Sequence, residues 1–208
     1  MGYNFREYKK EDYASCEALV NQAWNFDGVF QPQAFSSIAK QLYTKGAELE
    51  SSYRLVAEDN GKVVGFIFGL NQATHKTKRN LRFKFGILWK LFRLGPSKPA
   101  KNDLLTAMGT HEKNRSAHIT TVRSEIVLFV VDKSYHGKGI GKQLWAGFLE
   151  DCSDSGISEI FVETNKQGAS GFYENIGFEH LADFDSPLHE FATPDGQACV
   201  YLYKLESS

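Results

Sequence analysis

The 208-residue chain lacks the features that mark several large classes of protein. Its three cysteines, Cys16, Cys152 and Cys199, are odd in number and far apart. That pattern excludes a disulfide-stapled framework, offers no metal-ligand spacing, and gives a reducing cytoplasm as the expected location. No apolar run reaches the ~18 residues of a membrane span, so no integral membrane segment is expected. The opening MGYNFREYKKEDY has no apolar core of the kind a secretory leader carries. A net charge of −1 leaves no overall field to steer the chain to nucleic acid. Internal repeats are missing. Acidic residues are absent between Asp59 and Asp103, although nine Lys or Arg fall from Lys76 to Lys101.

What is present reads as alternating strands and helices. YNFREY (Tyr3 to Tyr8) alternates like a strand, and Asp12 to Trp24 carries a helical apolar face with Asp12 as N-cap. A second helix is expected over Pro32 to Glu48. Asn60-Gly61 between two β-rich runs is a hairpin signal. SEIVLFVVD (Ser124 to Asp132) is nearly all apolar, as in a strand buried on both faces. A helix is expected from about Gly139 to Asp154, and SEIFVET is read as a strand. ASGFYENIGF is read as a short helix stopping near Gly177, with a closing hairpin around Pro194-Asp195-Gly196. The stretch from Ala73 to about Arg123 reads as an insertion with one or two helices of its own, since a structureless loop of that length is unusual.

The string FVVDKSYHGKGIGKQLWAGF (Phe129 to Phe148) concentrates the chemistry. Glycines at 137, 139 and 141 strip side chains from the backbone where a strand hands over to a helix. A tight turn needs fewer. N–H groups at a helix N-terminus favour an anion, and Lys138 and Lys142, misplaced against the helix dipole, make better sense beside a phosphate. The string fits neither G-x-x-x-x-G-K-[ST] nor G-x-G-x-x-G.

The run Val131, Asp132, Lys133, Ser134, Tyr135, His136, Gly137, Lys138, Gly139, Ile140, Gly141 resembles motif A of the GNAT N-acetyltransferase superfamily. Downstream, Asn165, Ala169, Phe172, Tyr173, Gly177 and Phe178 resemble its second signature, and His136 and Lys133 depart from the usual residues. The resemblance covers Tyr3 to Leu205 except Ala73 to Arg123. It implies a single α/β domain over residues 1–208 with an insertion at about 73–123 between the third and fourth strands. The sheet would be mixed and mostly antiparallel, with helices on both faces and a splayed pair of central parallel strands. The activity implied is transfer of an acetyl group from acetyl-CoA to a primary amine by direct attack, with no metal. A non-catalytic acyl-CoA sensor and an anionic-surface binder using the basic insertion are the alternatives.

The site residues follow from the same resemblance. The cosubstrate would lie on Phe129, Val130, Val131, His136, Gly137, Lys138, Gly139, Ile140, Gly141, Lys142, Asn165 and Phe172, with a freed N–H of Val130 polarising the thioester. Tyr173 takes the family's acid position. Its plainer reading is packing on Phe172. Glu125 is the candidate base, against a merely solvated carboxylate at a strand start. His136 is either a pyrophosphate contact or a surface loop histidine. Trp24, Phe26, Asp27 and Phe30 offer aromatics and a carboxylate to an acceptor ammonium, or are core aromatics. In the insertion, Leu81, Phe85, Leu88, Trp89 and Phe92 recur at helical spacing and are expected to pack on the domain beside the acceptor. A homodimer contact is the second choice for that stripe, and a membrane surface the last.

Overall fold

A computed structural model describes residues 2–76, 80–93, 99–119, 123–191 and 196–205. In chain order the elements are β1 (Asn4–Glu7), α1 (Tyr13–Trp24), α2 (Phe26–Val29), α3 (Gln33–Glu50), β2 (Tyr53–Asp59) and β3 (Lys62–Leu70). There follow α4 (Leu81–Arg93), α5 (Pro99–Arg115), β4 (Ser124–Val131) and α6 (Ile140–Asp154). The chain closes with β5 (Glu159–Asn165), α7 (Ser170–Asn175), β6 (Glu179–Asp185) and β7 (Gln197–Lys204). The α/β class and the mostly antiparallel pairing are those expected. Two compact units result: Met1–Arg79 with Ser124–Ile157, and Asn80–Arg123 with Ser158–Ser208.

In the first unit β1, β2, β3 and β4 pair antiparallel in that order. Asn60 and Gly61 turn the β2–β3 hairpin with φ of 49° and 79°. Two consecutive left-handed residues match the right-handed twist of the flanking strands, which is why Asn-Gly serves here. The strand buried along almost its whole length is β3, from Val63 to Leu70. Although β4 was the expected one, it alternates buried and half-buried positions from Ile126 onward. Helices α1, α3 and α6 all pack against β3.

Glycines let α6 approach. A Cβ on Gly69 would overlap the Phe148 ring, and one on Gly65 would come within 3.4 Å of Leu144. Gly69→Ala is expected to destabilise by about 1–3 kcal/mol through overpacking against the fully buried Phe148. A lower urea midpoint at unchanged slope would show it, and an unshifted midpoint would show that α6 has room to move.

Asp12 precedes α1 but does not cap it with its side chain. Its carboxylate is taken by Arg6, at 2.7 and 2.8 Å, and by the Lys9 N–H at 2.7 Å. Arg6 also donates to Glu58. The Arg6 hydrogen bonds hold both carboxyls below their ordinary range. A depressed folded-state pKa contributes stability that is full above the unfolded value, about pH 4–5, and is lost as pH falls through the folded value. Arg6→Met should therefore reduce the difference in urea midpoint between pH 7 and pH 3. An equal difference in both proteins would remove Arg6 from the acid response.

In the second unit β5, β7 and β6 pair antiparallel, and α5 packs on β6. Ile119, Phe184, Ala198 and Val200 form one cluster of its core, with Phe161 against them. The closing hairpin differs from the expected one. The partner of β7 is β6, while His189–Phe191 forms a 3-10 turn. Pro194 and Asp195 lie outside the described residues. β6 escaped the sequence pattern because it is largely exposed and buries only Phe184.

Two helices lie between β3 and β4, and the apolar stripe of α4 does not pack as expected. Leu81, Phe85, Leu88, Trp89 and Phe92 are exposed, at 53–74% of their surface. The helix instead buries Ile87 and Leu91, on a different face. Among the described residues no helix is long and apolar enough to cross a membrane.

Candidate active site

The glycine string leaves β4 through Asp132, passes a 3-10 turn at Lys133–Tyr135, and enters α6. Asp132 fastens the exit. Its Oδ1 accepts from the Ser134 N–H at 2.9 Å and the Ser134 hydroxyl at 2.7 Å. The Ser134 bonds hold its carboxyl below the usual range. The Tyr135 hydroxyl donates to Asp59 Oδ2 at 2.9 Å, which ties the turn to the β2–β3 hairpin.

Gly137 and Gly139 have φ of 75° and 82°, in the left-handed region that an L side chain strains to enter. Gly139 is the N-cap of α6 and has no side chain to cap it. The Gln143 N–H to Gly139 C=O bond, at 3.1 Å, begins the helical ladder. The N–H groups of Ile140, Gly141 and Lys142 therefore have no partner within the helix, and the helix dipole adds partial positive charge there. This is the arrangement of an anion site. Ile140, Leu144, Trp145, Phe148 and Cys152 anchor α6 by their buried side chains. Burial pushes the Cys152 thiol up to about 12, which leaves it a packing residue and not a nucleophile.

The basic residues around the loop differ in posture. Lys138 lies over the Tyr135 ring, with Nζ 4.4 Å from the centroid, and Lys142 is exposed. His136 is exposed and its Nε2 lies 3.0 Å from the Val131 carbonyl oxygen, so the ring is turned back to the end of its own strand.

Along β4, Val130 is buried and sits opposite Phe66, while Phe129 and Val131 are half-buried. The register with β3 slips between Phe68 and Gly69, and Val127 is the extra residue of a bulge. Glu125 is 6% exposed and opposite Leu70. It is not the solvated strand-end carboxylate of the plainer expectation.

In the second unit Tyr173 is 5% exposed on α7. Its ring meets Phe172 and Phe178 edge-on, each at 5.4 Å between centroids. Phe172 is half-buried, and Asn165 ends β5 opposite Ala198. Nearby, the Tyr201 hydroxyl donates to Glu174, and burial with that bond pushes Tyr201 up to about 12.

Trp24, Phe26, Asp27 and Phe30 come together around α2, but they close on themselves. Phe26 and Phe30 are buried and stacked at 5.5 Å, and Trp24 meets Tyr43 at 5.2 Å. Asp27 receives the Lys40 ammonium at 2.8 and 3.0 Å, together with Ser36 and Asn21. The ammonium beside this carboxylate is the chain's own Lys40, which holds the Asp27 carboxyl below its usual range.

The sequence model of the Acetyltransferase (GNAT) domain matches residues 104–185. An uncharacterized protein of Mycobacterium leprae is 32% identical over 102 residues, covering 49% of this chain and 27% of that protein. This chain thus spans about a quarter of that relative's length. The PaiA N-acetyltransferase of Thermoplasma acidophilum, solved in complex with coenzyme A, superposes with a TM-score of 0.57 at 16% identity, over 99% of this chain and 100% of that one. The yncA protein of Salmonella typhimurium, solved with its cofactor acetyl-CoA, gives 0.55 at 14% identity, over 100% and 96%. At such identities the likeness is one of fold, and it extends over the whole chain. Residues 104–185 thus match the GNAT acetyltransferase domain model, and the fold of the chain is like that of solved acetyltransferases.

Proposed function

We propose that the chain is an acetyl-CoA-dependent N-acetyltransferase acting on a primary amine. The observation that carries this reading is the uncapped N-terminus of α6, entered through left-handed Gly137 and Gly139. Such a site offers backbone N–H groups and dipole to a pyrophosphate without a side chain in the way. Lys138 and Lys142 add charge from both sides of Gly139. That a relative of the same fold was solved with acetyl-CoA supports the cosubstrate.

In this reading the amine attacks the thioester carbonyl directly, and a β4 backbone N–H turned away from β3 takes the developing oxyanion; the Val130 N–H expected for this faces β3 instead, on the same side as the Asp132 N–H that bonds Val64. Tyr173 protonates the departing thiolate. A thiol near 8.5 and a tyrosine near 10 are close enough for a neutral hydroxyl to bond the sulfur and pass its proton. Glu125 is the proposed base for the attacking ammonium. Because Asp27 is engaged with Lys40, an acceptor amine at that loop would have to displace an internal ammonium. The acceptor is more readily sought elsewhere.

The test is acetyl-CoA turnover against small amines, polyamines, aminoglycosides and peptides, read by thiol release. Release that depends on the amine supports the reading. Tight acetyl-CoA binding with no release from any acceptor would favour the sensor.

A further inference from the structure

His111, Glu163 and His189 are far apart in the chain, yet the second unit gathers them from α5, β5 and the 3-10 turn after β6. The His189 Nε2 lies 3.0 Å and the His111 Nε2 3.6 Å from the same oxygen, Glu163 Oε1. One ligand atom from each residue lies within 4.8 Å of the others. Around a tetrahedral ion with bonds of about 2.0–2.1 Å, ligand atoms stand roughly 3.3–3.4 Å apart. The observed spacing brackets that value. We propose that His111, His189 and Glu163 form a binding site for a divalent transition ion of the zinc class.

The surroundings orient the three groups. Ser186, 1% exposed, holds both histidines: its Oγ is 2.9 Å from His111 Nδ1 and accepts the His189 backbone N–H at 3.1 Å. With the proton on Nδ1, the His111 Nε2 presents its lone pair toward Glu163, the role such partners play behind metal-bound imidazoles. The two rings stack at 5.7 Å and 21°. Arg115 Nε donates to Glu163 Oε2 at 2.7 Å, while Oε1 faces the Nε2 atoms of both histidines. Two imidazoles and one carboxylate leave a fourth position open, and all three protein ligands come from the second unit.

The experiment is titration of the chelator-treated full chain with zinc, followed by metal content, melting temperature and the visible spectrum with cobalt(II). One equivalent should bind, with melting raised by about 5–10 °C at zinc 100-fold above its Kd. A cobalt spectrum of four-coordinate type should appear. His111→Gln and His189→Gln should each weaken binding at least tenfold, while His180→Gln, at the exposed His180–Asp183 pair, should not. Folding of each variant is checked by metal-free circular dichroism. If a glutamine variant fails to fold, His111→Asn or His189→Asn replaces it. A wild type that retains no zinc, or double-glutamine binding equal to wild type, would overturn the site and leave a charge network tying α5 to β5.

A second observation stands independently. At about 100° per residue, Leu81, Phe85, Leu88, Trp89 and Phe92 fall within about 100° of arc on the exposed side of α4. Arg82 and Arg93 border that arc on one side and Lys84 on the other, with no acidic residue in the helix. The geometry points to docking of this face on an anionic lipid surface, which takes both the aromatic stripe and its cationic borders. A twofold contact with a second copy would set like charges against each other. Sedimentation with vesicles of mixed anionic and zwitterionic lipid should carry the chain down at low salt. Purely zwitterionic vesicles should not, and Trp89→Glu with Phe92→Glu should reduce binding at least tenfold. A chain that ignores anionic vesicles, whether monomeric or forming a dimer that the same variant disrupts, would overturn the lipid assignment.

Discussion

Tyr173→Phe is expected to lower kcat by about 10²–10⁴-fold and to leave acetyl-CoA affinity nearly unchanged. The ring that packs on Phe172 and Phe178 is retained, so the fold should tolerate the change, and only the hydroxyl is lost. If that hydroxyl protonates the leaving sulfur, the deficit depends on how badly the thiolate needs a proton. An acetyl thioester with a more acidic thiol should therefore recover part of the lost rate. A purely structural tyrosine would give the same deficit with every thioester. Turnover equal to wild type would assign Tyr173 to packing alone and send the search for the acid elsewhere.

Gly139→Asp should weaken acetyl-CoA binding by roughly 100-fold or more, since a unit charge about 4 Å from another is worth several kcal/mol at a protein surface. The loss would not come from collision, because a Cβ at Gly139 meets no atom within 4 Å. Two causes remain, the φ of 82° and the new charge at the helix N-terminus. Gly139→Asn separates them. Asparagine has nearly the same shape and visits the left-handed region more readily than most residues. It should keep most of the affinity. Equal losses in both variants, read by calorimetric titration, would make the backbone conformation the cause and not the phosphate field.

Local signals carried much of the site. Asn60-Gly61, the three glycines of the loop and the apolar face of α6 each depend on neighbours within a few positions, and their elements lie where the sequence placed them. What was not legible depends on distant partners. Asp12 reads as a cap, but Arg6 and the Lys9 N–H draw its carboxylate away. Asp27 among aromatics reads as an ammonium trap, and it holds one, supplied by Lys40. The α4 stripe reads as a face in need of a core. Yet Ile87 and Leu91 take the buried side, a choice made by packing and not by the larger hydrophobic count. His111, Glu163 and His189 are separated by 52 and 26 positions, so no spacing rule could join them. Only the arrangement of α5, β5 and the turn after β6 does so.

The central claim is that the glycine entry to α6 receives the pyrophosphate of acetyl-CoA. Calorimetric titration of acetyl-CoA into the chain, with Gly139→Asp alongside and melting followed at the same concentrations, tests it most directly. The account predicts one acetyl-CoA per chain, a melting temperature that climbs with ligand concentration, and loss of both in the variant. No heat and unchanged melting of the wild type at millimolar acetyl-CoA would contradict it.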